Sequence, residues 1–212
     1  MNSNTKKFIV LLGGDGAGKT SVIKNLGLDC CSVISYSETP VSNRIESMCE
    51  IEKIVRKDLL PQFSTMSPQF RVAVYNLFVA YMAESISHEI CRNNVICDSY
   101  YYKFMAKEIL SGVDANQLQI WKTLQRPDAV VYLDADPRLA YRRIKKTRAI
   151  QSNEKFVDDR EEEGFIRLQK RLKEQMIEII RKSNIPLSLV DANKPLKDVC
   201  LQVQNNIIEI LK

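Results

Sequence analysis

Residues 13–20 read GGDGAGKT, and four of the chain's seven glycines fall within these eight positions. Gly13, Gly18, Lys19 and Thr20 occupy the fixed places of G-x-x-x-x-G-K-[ST]. Glycines let successive backbone N–H groups curl around an anion without Cβ clashes. An apolar run, 8–12, precedes the loop and a helical pattern, 19–26, follows it. The positive end of that helix then faces the same anion. Lys19 offers a point charge to the outer phosphates of ATP, and Thr20 a hydroxyl to Mg²⁺. The expected ATP-binding set is therefore Gly13, Gly14, Gly16, Ala17, Gly18, Lys19, Thr20 and Ser21. ATP is favoured over GTP because the guanine motif N-K-x-D is absent: Asn193-Lys194 is followed by Leu196 where the aspartate belongs.

Outward from this loop, short apolar strands (8–12, 32–36, 95–97, 129–133, 187–190) alternate with helical patterns. The helices are expected over 19–26, 41–55, 69–91 (opened by Pro68), 103–110, 117–124, 137–147, 161–182 and 196–211. Such alternation predicts an α/β fold with a parallel sheet covered by helices on both faces. No repeat, low-complexity tract or linker divides residues 1–212, which are expected to form a single domain.

The net charge of +5 suits an anionic partner such as a nucleotide. It is too small to argue for nucleic acid, and no basic segment is interleaved with aromatics as in single-strand binders. No apolar run approaches the roughly 18–20 residues that span a bilayer. The expectation is a cytoplasmic protein with no membrane or nucleic-acid partner. Its six cysteines form no CxxC pair and there is one histidine, His88. This disfavours a zinc site and fits reduced thiols.

Several segments, taken in order, resemble the thymidylate kinases. GGDGAGKT is similar to that family's G-x-D-G-x-G-K-[ST], Asp15 included. SETP resembles its R-E-P segment, and NLFVAYMAES its L-F-x-A-D-R-A-Q helix. VICDSYYYKFMA resembles V-I-x-D-R-Y-x-x-S-x-A. RPDAVVYLDADPRLAYRRI is similar to the family's fourth strand and next helix, and DDREEEGFIRLQKRLKEQM to its lid and the helix behind. The resemblance implies a P-loop NTPase fold with a five-stranded parallel sheet and a lid near 148–160. It also implies ATP and Mg²⁺ as cofactors, a nucleotide or nucleoside acceptor, and a homodimer as one arrangement, with the Pro68 helix as interface or as core.

Three positions depart from the family pattern. Where it carries arginines around the acceptor's phosphate, this chain has Ser37, Met82 and Ser99. Each charged hydrogen bond removed costs roughly 1.5–3 kcal/mol. Either Arg44 and Arg71 substitute, or the acceptor carries no phosphate, as in the deoxynucleoside kinases that SETPV also resembles. There Glu38 would act as base for a sugar hydroxyl.

The remaining candidates each carry a competing reading. Asp98, ending a strand, holds Mg²⁺ or orients the acceptor, or is a turn aspartate. Asp15, a carboxylate inside an anion cradle, needs a partner there, or merely steadies the loop. Glu38 is an acceptor-site base or an acid at a helix start. Arg148 and Arg160 bracket the lid and neutralise the transferring phosphoryl group, or form a solvated basic face. Phe78 stacks on a base or packs in the core. Tyr100, with Tyr101 and Tyr102, lies near the acceptor or simply packs. Asp136 before Pro137 is read as a helix N-cap.

Overall fold

The computed structural model describes residues 5–35, 45–156 and 159–212. Five strands, β1 (Phe8–Gly13), β2 (Cys31–Ile34), β3 (Asn94–Asp98), β4 (Ala129–Asp134) and β5 (Leu187–Asp191), form one sheet in the order β2-β3-β1-β4-β5. Every pairing is parallel. Each strand must therefore cross over through a helix, and the helices cover both faces.

The period-two geometry of β-structure divides the core. Phe8, Val10 and Leu12 of β1 join Val95, Cys97, Val130 and Tyr132 in one apolar cluster. Ile9 and Leu11 join Ile96, Val131 and Leu133 in the other. The first cluster is completed by α3 (Pro68–Glu89), α4 (Tyr102–Leu110) and α6 (Glu161–Lys182), through side chains such as Val79, Met105 and Leu172. The second is completed by α1 (Lys19–Lys24) and α7 (Leu196–Leu211), through Val22, Val199 and Val203. Among the described residues the remaining α-helices are α2 (Glu46–Ile54) and α5 (Pro137–Lys145). Among the described residues no helix is long and apolar enough to cross a membrane.

Local chemistry sets the element ends. Ser67 caps α3, its hydroxyl accepting from the Phe70 N–H, with Pro68 in the first turn. Asp136 caps α5 by accepting from the N–H groups of Arg138 and Leu139, as expected. Helix α1 stops at Lys24, short of residue 26, where the Asn25 amide turns back to the Ser21 carbonyl. The segment expected as a helix over 117–124 is a 3-10 helix, Ala115–Thr123, opened by the Asp114 side chain. The helix expected over 41–55 is described only from Glu46, and Ser37, Glu38 and Arg44 lie outside the described residues.

Helices α3 and α4 are tied by a buried ion pair. The Arg71 guanidinium donates through Nε (3.1 Å) and Nη2 (2.8 Å) to the Glu108 carboxylate, and through Nη1 to the Met66 carbonyl (2.9 Å). Glu108 is 2% exposed, so removing either partner strands a charge in the core. Glu108→Ala is expected to destabilise the protein by about 3–5 kcal/mol in urea unfolding. A loss below about 1 kcal/mol would show that Arg71 escapes to solvent or to another acceptor.

Candidate functional site

Strand β1 lies between β3 and β4, while the chain leaving β1 passes to β2 at the sheet edge. This is the switch point at which open α/β sheets bind ligands, at the C-terminal ends of their strands. The glycine loop follows β1 there. Gly16 adopts φ 74°, and a Cβ on it would sit 2.6 Å from the Ala140 carbonyl oxygen of α5. Gly18, at φ 92°, is the residue from which α1 starts. Both conformations are open to glycine and strained for other residues. The loop thus curls at the N-terminus of α1, with the Asp15 N–H donating to Gln169 and the Ala17 N–H to the Gly14 carbonyl.

The cleft in front of it has a volume of about 900 Å³. Among its lining residues six are cationic (Lys19, Lys103, Lys107, Arg143, Arg148, Lys194) and three acidic (Asp15, Asp98, Glu154). That excess selects anionic ligands. Thr20 and Asp98 share the cleft. A hydroxyl and a carboxylate are the hard oxygen donors Mg²⁺ takes alongside water, so these residues fit that ion. Ser99 donates to Asp98 Oδ1 at 2.8 Å and holds φ 68°, followed by Tyr100 at φ 44°. Left-handed backbone at two successive non-glycine residues is strain stored beside the cleft.

Asp15 has the partners its position demands. Lys103 Nζ lies 2.5 Å from Oδ1, and Lys107 Nζ 3.3 Å from Oδ2. Gln169 of α6 accepts from the Asp15 N–H (2.9 Å) and donates to Oδ2 (3.1 Å). Burial alone would raise the Asp15 pKa, but Lys103 and Lys107 hold it well below the ordinary carboxylate value. Burial likewise opposes the charge of Lys103, and Asp15 reverses that, leaving its pKa raised. Lys19 folds back on the loop, Nζ donating to the Gly13 carbonyl (3.2 Å) and, more weakly, that of Gly14 (3.4 Å). Burial and then the charge of Lys103 push Lys19 down to about 8, against the pull of Asp98 and Asp15.

The other sequence candidates divide. Arg148 lines the cleft, with its guanidinium on Glu154 (2.6 and 2.8 Å). Arg160 is exposed where α6 begins and is not among the residues lining the cleft. Arg71 is committed to Glu108 and the Met66 carbonyl rather than to the cleft. Phe78 and Tyr100 are buried, Tyr100 edge-on to Phe8 in the core. The aromatic wall of the cleft is instead Tyr75, one turn before Phe78, stacked on Phe104 at 4.4 Å. Met82 is likewise in the core.

Sequence reading passed over Tyr75, Phe104, Lys103 and Lys107. A signal for the lysines was present. In VICDSYYYKFMA the family serine position carries Lys103, four residues after Ser99, and Lys107 follows at the i,i+4 spacing that shares a helix face.

The thymidylate kinase family model matches residues 12–203. A probable thymidylate kinase of Staphylothermus marinus is 26% identical over 215 residues, covering 100% of this chain and 99% of that protein. Probable thymidylate kinase 2 of Saccharolobus solfataricus is 30% identical over 123 residues, covering 55% of this chain and 57% of that protein. A solved thymidylate kinase of Ehrlichia chaffeensis has the same fold: TM-score 0.61 at 16% identity, covering 98% of this chain and 99% of that one.

The lowered proton affinity of Lys19 has a measurable sign. An ordinary lysine titrates near 10.5, whereas Lys19 does so at about 8. Between these values the unfolded chain holds a proton that the folded protein has released, so this group makes stability rise with pH there. A triphosphate beside the ammonium returns the proton. Calorimetry at pH 8–9 in buffers of different ionisation enthalpy should find proton uptake on ATP binding, abolished in Lys19→Met. Uptake undiminished in that variant would assign the proton to another group.

Proposed function

The chain belongs to the thymidylate kinase family, and on that premise we propose that it transfers the γ-phosphoryl group of Mg-ATP to a deoxynucleoside monophosphate, with thymidine monophosphate as the default acceptor. Family membership makes it a nucleotide kinase, a phosphotransferase. The observation that carries the acceptor class is the cleft beyond Asp98. It continues from the glycine loop to the Tyr75–Phe104 wall, with cations in excess. A base and an anionic group on one molecule match that lining.

In this reading the loop and Lys19 cradle the ATP phosphates, and Thr20 with Asp98 would hold Mg²⁺, which would supply charge neutralisation there. An oxygen of the acceptor phosphate attacks the γ-phosphorus as the bond to the ADP oxygen breaks. That oxygen is already anionic, so no base is needed and catalysis rests on positioning and neutralisation. Residues 148–160 act as the lid of a single domain, Arg148 exchanging Glu154 for the transferring group. Segments around residue 154 already reach across the cleft: Ser152 Oγ donates to the Pro61 carbonyl (2.9 Å) and Lys107 Nζ to the Asn153 carbonyl (3.2 Å). Such closure excludes water, the competing acceptor. A cytoplasmic location accords with this chemistry. Exposed Phe70 and Leu77 on α3 accord with a homodimer.

A second reading has its own observation. Met82 is core and Ser99 is occupied with Asp98, so neither replaces an arginine. An unphosphorylated nucleoside or another small hydroxyl compound would then be the acceptor, and would need a base such as Glu38. A nucleotide-binding module without turnover is the remaining alternative. ADP release with Mg-ATP, comparing thymidine monophosphate with thymidine, separates the first two, and activity on neither calls for a wider acceptor panel before turnover is said to be lost. Turnover of the monophosphate, on the kinase scale of about 1–100 s⁻¹, is the expected result. Turnover of thymidine alone would establish the second reading. Lys19→Ala should cut kcat by about two orders of magnitude or more.

A further inference from the structure

Lys103 and Lys107 are the unexplained residues of the cleft. They sit one turn apart on α4, and each side chain is only 13% exposed. Two long cations crowded so close to Lys19 carry an electrostatic cost, which Asp15 meets by direct contact while Asp98 and Glu154 act from farther off. Asp15 shows how they grip: one ammonium to each of its two oxygens. Two ammoniums in contact with one carboxylate leave a positive charge that this carboxylate alone does not balance. Phe104, between the lysines in sequence, faces the same cleft and stacks on Tyr75.

We propose that Lys103 and Lys107 form the clamp for the acceptor's phosphate, a dianion gripped oxygen by oxygen as Asp15 is in the free protein. The anion-holding function has moved from the positions of Ser37, Met82 and Ser99 to one face of α4. The clamp makes the monophosphate, rather than the free nucleoside, the acceptor, and it rests on the kinase reading above. Asp15 is its counter-charge: held by Gln169, it keeps the ammoniums aimed into the cleft while no phosphate is present. A lysine supplies a point charge where an arginine supplies a fork. The clamp therefore needs two lysines to fix what one arginine holds bidentately.

The test uses Lys103→Met, Lys107→Met, the double variant and Lys103→Arg in the full chain. Steady-state kinetics are run with thymidine monophosphate, alongside binding of a fluorescent ATP analogue and thermal melts. The expected result is a KM for the monophosphate raised about tenfold in each single variant and about 100-fold or more in the double. ATP-analogue affinity should stay within about threefold, and Lys103→Arg should recover most of the loss. An unchanged KM in a folded, ATP-binding double variant would overturn the clamp and leave the kinase reading standing. A fall in kcat at constant KM would also overturn it, placing the lysines on the transferring group instead. Wild-type turnover of thymidine with none of the monophosphate would overturn the kinase reading for monophosphates and the clamp with it. If the variants fail to fold, lysine acetylation of the wild type, read by mass spectrometry, decides. Thymidine monophosphate should protect Lys103 and Lys107 where thymidine does not, and equal labelling with both ligands would overturn the clamp.

Discussion

The constraint on which this structure turns is like-charge crowding at the mouth of the parallel sheet. A phosphate site must hold cations close together before any phosphate arrives, and in a partly buried cleft that repulsion is weakly screened. Asp15 resolves it. Its carboxylate lies between Lys103 and Lys107, and Gln169 fixes both its N–H and its second oxygen. The carboxylate belongs to the loop after β1, the lysines to α4 and the glutamine to α6. The loop at the end of β1 and two helices on one face of the sheet therefore meet on a single side chain. The packing of α4 and α6 over β1 is a condition of the site's charge balance as well as of the core.

That arrangement explains what was legible in the sequence. The glycine loop was readable because its chemistry is local: phosphate curvature and helix start are set by neighbours within eight residues. The strands were readable because a doubly covered sheet needs unbroken apolar runs. Asp98 was readable as a strand end. Contacts made across the fold were not. Arg71 looks like a spare cation near the acceptor until Glu108, far along the chain, takes its donors. Phe78 and Tyr75 differ by one helical turn, and only the seating of α3 on β2 and β3 decides which ring faces the cleft. The 3-10 geometry of Ala115–Thr123 follows from an Asp114 cap and a buried Trp121 tied to Asn76, neither of which periodicity reports.

The segment over the cleft shows the same economy of charge. Glu154 is 3% exposed and satisfied on several sides: by the Arg148 guanidinium and by the Gln151 N–H. Phe156 is covered by the Arg167 guanidinium 4.6 Å from its ring centroid, and its carbonyl leaves no room for a Cβ on Gly164. One arginine is thus paired with a carboxylate inside the cleft while another holds the segment down from outside.

The losses at Met82 and Ser99 can then be weighed against the gains on α4. An isolated ammonium in a partly buried site would deprotonate or find a carboxylate. Here Asp15 is the carboxylate in contact with both ammoniums, and all three side chains line the cleft of the glycine loop. A neutral nucleoside would leave the pair as it is and gain nothing from it. A phosphate dianion would add negative charge where cations are in excess, with Asp15 still needing its partners, since a buried carboxylate without them is costly. The excess of cations in the cleft is thus the ground on which a charged acceptor is proposed, although Met82 and Ser99 stand where the family pattern has arginines.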